Sequence, residues 1–233
     1  KKQMDDFATA IFAERNFYGP LRVSDVGNAR MLQNGNVVHG RELTDQAGQP
    51  ASYYGANSGL GRAVTALQAR GPLKMGVVGL GAGGIAAYGR AGDSILFYEI
   101  NPAVPEIARK YFSFLSRTGA QVRIQMGDAR LSLERQPVQG FDFLAIDAFT
   151  SDSIPVHLLT REAFAQYWRH LKPGGILAVH VSNLYIDLAP VVAAAAQASG
   201  KTARLIYDEG DETKAQDRSD WVVIAADPAF FQV

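Results

Sequence analysis

Residues 74–101, KMGVVGLGAGGIAAYGRAGDSILFYEIN, decide how this chain is read. Met75 to Val78 is a short apolar, partly β-branched run bounded by glycine, the pattern of a buried parallel strand. Gly79, Gly81, Gly83 and Gly84 follow at once, and Ile85 to Arg90 then predicts the first turns of a helix. Glycine suits such a turn because a Cβ would block both the tight backbone and a ligand's approach. A helix N-terminus beyond it would offer unpaired N–H groups and partial positive charge. A second strand, Ser94 to Tyr98, ends in Glu99, about twenty residues after Gly79, where an acid can accept hydrogen bonds from two ribose hydroxyls. Strand, glycine turn, helix, strand and acid together make an adenosine-binding half-site. Gly79, Gly81 and Gly84 also satisfy G-x-G-x-x-G, so a dinucleotide fingerprint and an ordinary tight turn stay open here.

The rest of the chain sets the frame. Its 233 residues, 47% hydrophobic, are enough for one large domain with a small appendage. Lys plus Arg and Asp plus Glu balance at 23 each, which leaves no electrostatic footprint for nucleic acid. Without cysteine there is no disulfide, thiolate metal site or cysteine nucleophile. No apolar run approaches the roughly 20 residues of a membrane span. The chain opens on Lys1-Lys2 rather than Met, as a piece excised from a longer protein would.

Lys1 to Glu14 has roughly helical spacing, which fits a short amphipathic helix or a tail. Phe17 to Val23, Ala29 to Leu32 and Val37 to His39 are strand-like runs separated by turns, one of them the hairpin signal Asn34-Gly35-Asn36. Residues 1–55 therefore form a small antiparallel β domain. From residue 56 to 233 helices alternate with strands: Ser58–Ala69 and Pro102–Leu115 as helices, Val122–Met126 and Phe141–Ile146 as strands. A helix over Thr160–Leu171, stopped by Lys172-Pro173-Gly174-Gly175, leads to a strand at Ile176–Val181, then a helix and two strands. The alternation predicts an α/β, parallel, doubly wound, Rossmann-like sheet.

Ligands of such sheets sit outside the carboxyl ends of the strands. Three acids fall there in order: Glu99, Asp128 and Asp147. Taken singly, Asp128 suits a helix N-cap and Asp147 a solvated strand end. A nicotinamide dinucleotide needs only the first, whereas an S-adenosyl sulfonium has work for all three: ribose, adenine amino group, reacting end. His170 reads as a last-turn histidine favoured by the helix dipole. His157 and His180 lack metal-ligand spacing, so no metal is expected; His180, with Ser182 and Asn183, ends a strand and is a candidate pocket residue. Tyr167 and Trp168 read as helix-packing residues.

The glycine loop Gly79–Gly84, Glu99, Gly127-Asp128-Ala129, and Phe141-Asp142-Phe143-Leu144-Ala145-Ile146-Asp147 resemble the spermidine synthases, or polyamine aminopropyltransferases. Val37-Val38-His39 and Ala51-Ser52-Tyr53-Tyr54 resemble that family's substrate-entry strand and tyrosine. Arg15 to Val23 is similar to the subgroup fused behind a membrane transporter-like region. The resemblance implies a β-hairpin domain on a class I methyltransferase-like Rossmann domain. It also implies aminopropyl transfer from decarboxylated S-adenosylmethionine to putrescine or another polyamine, releasing 5′-methylthioadenosine. Carried over, Glu99 holds the ribose and Asp128, with Ala129, the adenine. Gly79, Gly81, Ala82 and Gly83 form the donor loop, and His39 stands where the family usually has glutamine. Asp147 orients the amine as base, Tyr53 closes the site and Asp152 serves the distal amine.

The resemblance further implies a membrane-embedded region ahead of this chain and a place at the cytoplasmic face of a membrane; a homodimer is the assembly expected. Two departures matter. Ala82 replaces the loop aspartate that meets the ammonium of the decarboxylated donor, and Asp147 to Pro155 is longer than the family's Asp-Ser-Ser-Asp-Pro. Both admit intact S-adenosylmethionine as ligand. Intramolecular cleavage of that donor to a lactone-type product, methyl transfer and nucleoside binding without catalysis are the alternatives.

Overall fold

The computed structural model describes residues 10–35, 37–149, 154–183 and 186–232. Four antiparallel strands open the chain: β1 (Phe12–Asn16), β2 (Gly19–Val26), β3 (Ala29–Asn34) and β4 (Val37–Leu43), paired in sequence order as a meander. The helical spacing read over Lys1–Glu14 is corrected at its end. Residues 12–14 pair with β2 from Phe12↔Val23 onward, and the Phe12 ring packs on Tyr111 at 5.3 Å. Strand pairing with a tertiary anchor overrides a weak local preference; residues 1–9 lie outside the described set.

The larger part alternates as the sequence predicts. Helix α1 (Gly59–Gln68) is capped by the Ser58 side chain, which accepts from the Gly61 N–H. Then come β5 (Lys74–Val78), β6 (Ser94–Glu99), α2 (Val104–Tyr111), α3 (Phe114–Arg117), β7 (Gln121–Met126), α4 (Ala129–Arg135) and β8 (Phe141–Ile146). Helix α5 (Arg161–His170), β9 (Leu171–His180), α6 (Ala189–Ala198), β10 (Thr202–Asp208) and β11 (Ser219–Ala225) complete the chain. The seven strands lie in the order β10-β11-β9-β8-β5-β6-β7. Pairings from β9 through β7 are parallel, and β11 runs antiparallel to both β9 and β10. This is the class I methyltransferase-like arrangement: a mainly parallel sheet with helices on both faces and a small antiparallel sheet at the N-terminus.

Successive strand side chains point to opposite faces, and the core divides accordingly. Met75, Val77, Phe97, Phe143 and Trp221 face α1, α2 and the inner side of the small sheet at Leu21, Val23 and Leu32. Val78, Tyr98, Leu144, Ile146 and Val179 face α4, α5 and α6 through Leu133, Phe164, Tyr167 and Val192. The small sheet thus shares one hydrophobic core with the large one.

Three local expectations change. The helix predicted from Ile85 is a 3₁₀ turn, Gly84–Tyr88, because the chain enters through left-handed Gly83 (φ 87°) and leaves through extended Gly89. Its five residues provide no long helix dipole at the loop. The helix predicted over Pro102–Leu115 is broken at Phe112–Ser113, where Glu42 accepts from the Ser113 N–H (3.0 Å) and hydroxyl. The Lys172–Gly175 stop lies within β9, since α5 already ends at His170.

Candidate active site

The carboxyl ends of β5, β6, β7 and β8 and the inner side of β4 enclose a cavity of about 910 Å³, at the upper end for a small-molecule site. Two glycines allow that closeness. A Cβ on Gly79 (φ 99°) would run into the Asp147 carbonyl, and one on Gly81 (φ 52°) would meet the His39 carbonyl at 2.6 Å. Neighbouring strand ends are stitched in turn: Gly79 N–H donates to Tyr98 O (2.9 Å), Asp147 N–H to Val78 O (2.8 Å) and Gly127 N–H to Glu99 O (2.8 Å).

On the β6–β7 side Glu99 is 7% exposed and lines the cavity. It accepts from Leu80 N–H (3.0 Å) through Oε2 and from Asn101 N–H (2.8 Å) through Oε1. Burial raises its pKa and these backbone donors oppose the rise. Each oxygen keeps a further lone pair for a ligand hydroxyl. Asp128 is at once the N-cap of α4, accepting from Leu131 N–H at 2.8 Å, and a cavity wall; its second oxygen meets His157 Nε2 at 3.0 Å. The capping and lining readings of Asp128 are therefore compatible. Ala129 lines the cavity beside it.

The loop residues divide. Gly79, Leu80 and Gly81 line the cavity. Ala82 is buried with its methyl over β4, so close to Gly40 that a Cβ there would approach it to 2.5 Å. Gly83 backs onto Leu115. Neither residue is part of the cavity wall. From β4, His39 lines the cavity; burial lowers its pKa, and its Nε2 is buried without a hydrogen-bond partner. Tyr53 also lines it, with its hydroxyl tied to Val38 O and burial raising its pKa. Asp152 lies outside the described residues.

Asp147, at the end of β8, is held at both oxygens. Tyr54 O–H donates to Oδ2, and His180 Nδ1 lies 2.7 Å from Oδ1. His180, 2% exposed at the end of β9, stacks on Trp221 (4.6 Å, 10°) and packs against Tyr53 and Phe149. Its Nε2 lies 2.8 Å from Ser182 Oγ, which accepts from the Asp220 N–H at 2.8 Å. The strand-end position marks His180 as a pocket residue in the sequence. Its pairing with Asp147, 33 residues away, has no sequence signal, and neither does Tyr54, which reads as the second half of a tyrosine pair. His170 lies in the last turn of α5 as the sequence predicts, but it does not serve the dipole. It is fully buried, Nδ1 accepts from Gln139 N–H (3.2 Å), Nε2 faces Leu133 O (2.8 Å), and burial lowers its pKa. It is a neutral core staple.

No protein-family model matches the chain. The polyamine aminopropyltransferase of Vibrio vulnificus is 33% identical over 124 residues, covering 49% of this chain and 40% of that protein. The chain thus matches less than half the length of that curated relative. The spermidine synthase of Thermotoga maritima superposes with a TM-score of 0.69 at 14% identity, covering 97% of this chain and 76% of that one. A spermidine synthase solved with the transition-state analogue AdoDATO gives 0.68 at 12% identity, with 97% and 76% covered. Human methyltransferase-like protein 13, solved with SAH, gives 0.55 at 20% identity but covers only 72% of this chain and 80% of its own. The broader cover of the spermidine synthases fits a chain whose small N-terminal sheet is integral to the fold. In fold the chain is similar to the spermidine synthases, and over part of its length it is similar in sequence to a polyamine aminopropyltransferase.

Proposed function

We propose that this chain is an aminopropyltransferase-type enzyme that binds an S-adenosyl sulfonium donor and directs a nucleophile to the carbon beside the sulfur, releasing 5′-methylthioadenosine. The reading rests on one observation above all. Glu99, Asp128 and Asp147 stand at the ends of three strands and line one cavity, in a chain 33% identical over 124 residues to a polyamine aminopropyltransferase.

Each acid has a task suited to its surroundings. Glu99, buried and steadied by backbone N–H groups, accepts the ribose hydroxyls. Asp128 faces the adenine amino group from the start of α4. Asp147 brings negative charge to the reacting end and attracts a cationic acceptor amine, for which putrescine or a related polyamine is the expected class. A sulfonium carbon is electrophilic and departs from a neutral thioether, so the enzyme mainly supplies placement and proton removal. His39 and Tyr53 shape the cavity from the β4 side, Tyr53 by closing it over the acceptor.

A second reading concerns the donor. The loop lines the cavity with Gly79, Leu80 and Gly81 and sets no carboxylate there for a donor ammonium. That favours tolerance of intact S-adenosylmethionine, whose own carboxylate an acid would repel. The test of both readings is product analysis after incubation with either donor, with and without a diamine. Methylthioadenosine formed only when amine is present supports transfer. Its formation without amine supports intramolecular cleavage, and S-adenosylhomocysteine would replace both readings with methyl transfer.

A further inference from the structure

Alkylating an amine requires that the acceptor, an ammonium at neutral pH, first lose a proton. Asp147 is an obvious recipient by position, and each of its oxygens accepts one hydrogen bond, from Tyr54 O–H and at His180, a ring that can itself take a proton. The chain of contacts continues past it. Ser182 Oγ accepts from the Asp220 N–H, so its single proton is available for His180 Nε2 at 2.8 Å. His180 Nδ1 then carries the hydrogen that Asp147 accepts. A hydroxyl has two lone pairs, and among the described residues the second on Ser182 has no partner, in a residue that lines the cavity.

We propose that His180, oriented by Asp147 and reached through Ser182, takes the proton released by the acceptor amine. The inference rests on the transfer reading above. The ammonium gives one proton to Ser182 Oγ as the Ser182 hydroxyl proton passes to His180 Nε2, leaving a neutral amine and an imidazolium. The amine lone pair forms the new C–N bond, the C–S bond breaks, and its electron pair stays on sulfur as the thioether. The product nitrogen is a secondary ammonium, and the imidazolium later returns its proton to solvent.

Several features support the assignment. Imidazole is the side chain most often used as a general base. The proton taken up sits on a ring already bonded to the Asp147 carboxylate, which stabilises the imidazolium where water cannot. Protonation at Nε2 orphans no buried group, because Ser182 Oγ, having passed on its own proton, then accepts from Nε2. The ring is fixed by stacking on Trp221 at 4.6 Å. The charged and titratable groups around it are Asp147 from β8, Tyr53 and Tyr54 from the segment before α1, and Asp220 from β11. Asp217 and Arg218 before β11 and His39 on β4 line the same cavity. Asp217 is itself paired with Arg41 at 3.0 Å.

The test is methylthioadenosine release from decarboxylated S-adenosylmethionine and a diamine, by the full chain and by His180→Asn, which keeps a donor near the Nδ1 position. At pH 7 the variant should be slower by about 100-fold, with donor affinity unchanged within about threefold. The deficit should shrink by about tenfold per pH unit and be gone by pH ~9, as solution supplies more of the free amine itself. Ser182→Ala, which leaves the His180–Asp147 pair in place, should give the same convergence and covers a His180→Asn chain that fails to fold. A deficit constant at every pH, or a normal rate in these variants, overturns the proton-acceptor role while leaving the transfer reading intact. A wild-type chain that releases no methylthioadenosine with either donor overturns the transfer reading and this inference with it.

Discussion

The two ends of the cavity are built in different ways. The donor end rests on residues close in sequence: Glu99 is held by the N–H groups of Leu80 and Asn101, and Asp128 caps the helix it begins. The reacting end is assembled across the chain, with Asp147 just after β8, His180 at the end of β9, Ser182 just past it, Asp220 on β11 and Tyr54 before α1. The proposed donor end is therefore expected to act as a cradle in which single groups contribute independently. The reacting end is a connected network, in which removing one member disturbs the rest.

That contrast predicts where substitutions act. Asp147→Asn keeps the shape but offers Tyr54 and His180 a neutral amide, part of which is itself a donor. Turnover should drop by at least about 100-fold while donor affinity, measured by calorimetry, stays near wild type. Near-normal turnover would mean that the network does not organise the reaction. At the donor end the pattern should invert. If Glu99 holds the ribose as proposed, Glu99→Gln removes the charge behind two hydrogen bonds, each worth roughly 1.5–3 kcal/mol when charge-assisted. Affinity should fall by about tenfold to a hundredfold, with turnover at saturating donor little changed. Unaltered binding would remove Glu99 from the ribose.

Acid pH separates the donor end further. Burial raises the Glu99 pKa, and only the ionised carboxylate accepts from both hydroxyls. Donor affinity should therefore weaken as pH falls through that raised value, by up to about tenfold per unit. For the ligand-free chain the sign is opposite. A raised folded-state pKa contributes stability that is present below the unfolded value and lost as pH rises through the folded one. Melting curves with and without donor over acid pH would show whether the two responses diverge, and parallel curves would argue against the cradle. The smallest effect is expected at His157, a half-exposed partner of Asp128. Such a pair contributes about 0–1 kcal/mol, so His157→Ala should change donor affinity by less than about fivefold. A larger loss would place the histidine itself on the ligand.

The same division explains what the sequence made legible. The sheet, the glycine turn and the three strand-end acids follow from local patterns of apolar runs, glycines and spacing, and they reappear at β5 to β8. The helix after the turn does not, because Gly83 and Gly89 confine it to 3₁₀ geometry. His180 could be placed at a strand end but not beside Asp147, since strand order, not sequence distance, brings β8 and β9 together. Tyr54 was hidden by its neighbour: of two adjacent tyrosines, sequence cannot say which hydroxyl reaches the acid and which reaches Val38. The loop position of Ala82 points to the ligand in sequence, whereas its methyl fills the space left by Gly40 on β4.

The central claim is that one cavity binds a sulfonium nucleoside at the Glu99 end and alkylates an amine at the Asp147 end. The most direct measurement is chromatographic analysis of products after incubation with decarboxylated or intact S-adenosylmethionine, with and without putrescine or spermidine. The account predicts methylthioadenosine in equal amount to a newly alkylated amine, formed only when the amine is supplied. S-adenosylhomocysteine as the nucleoside product, or bound donor recovered unchanged under every condition, would contradict it.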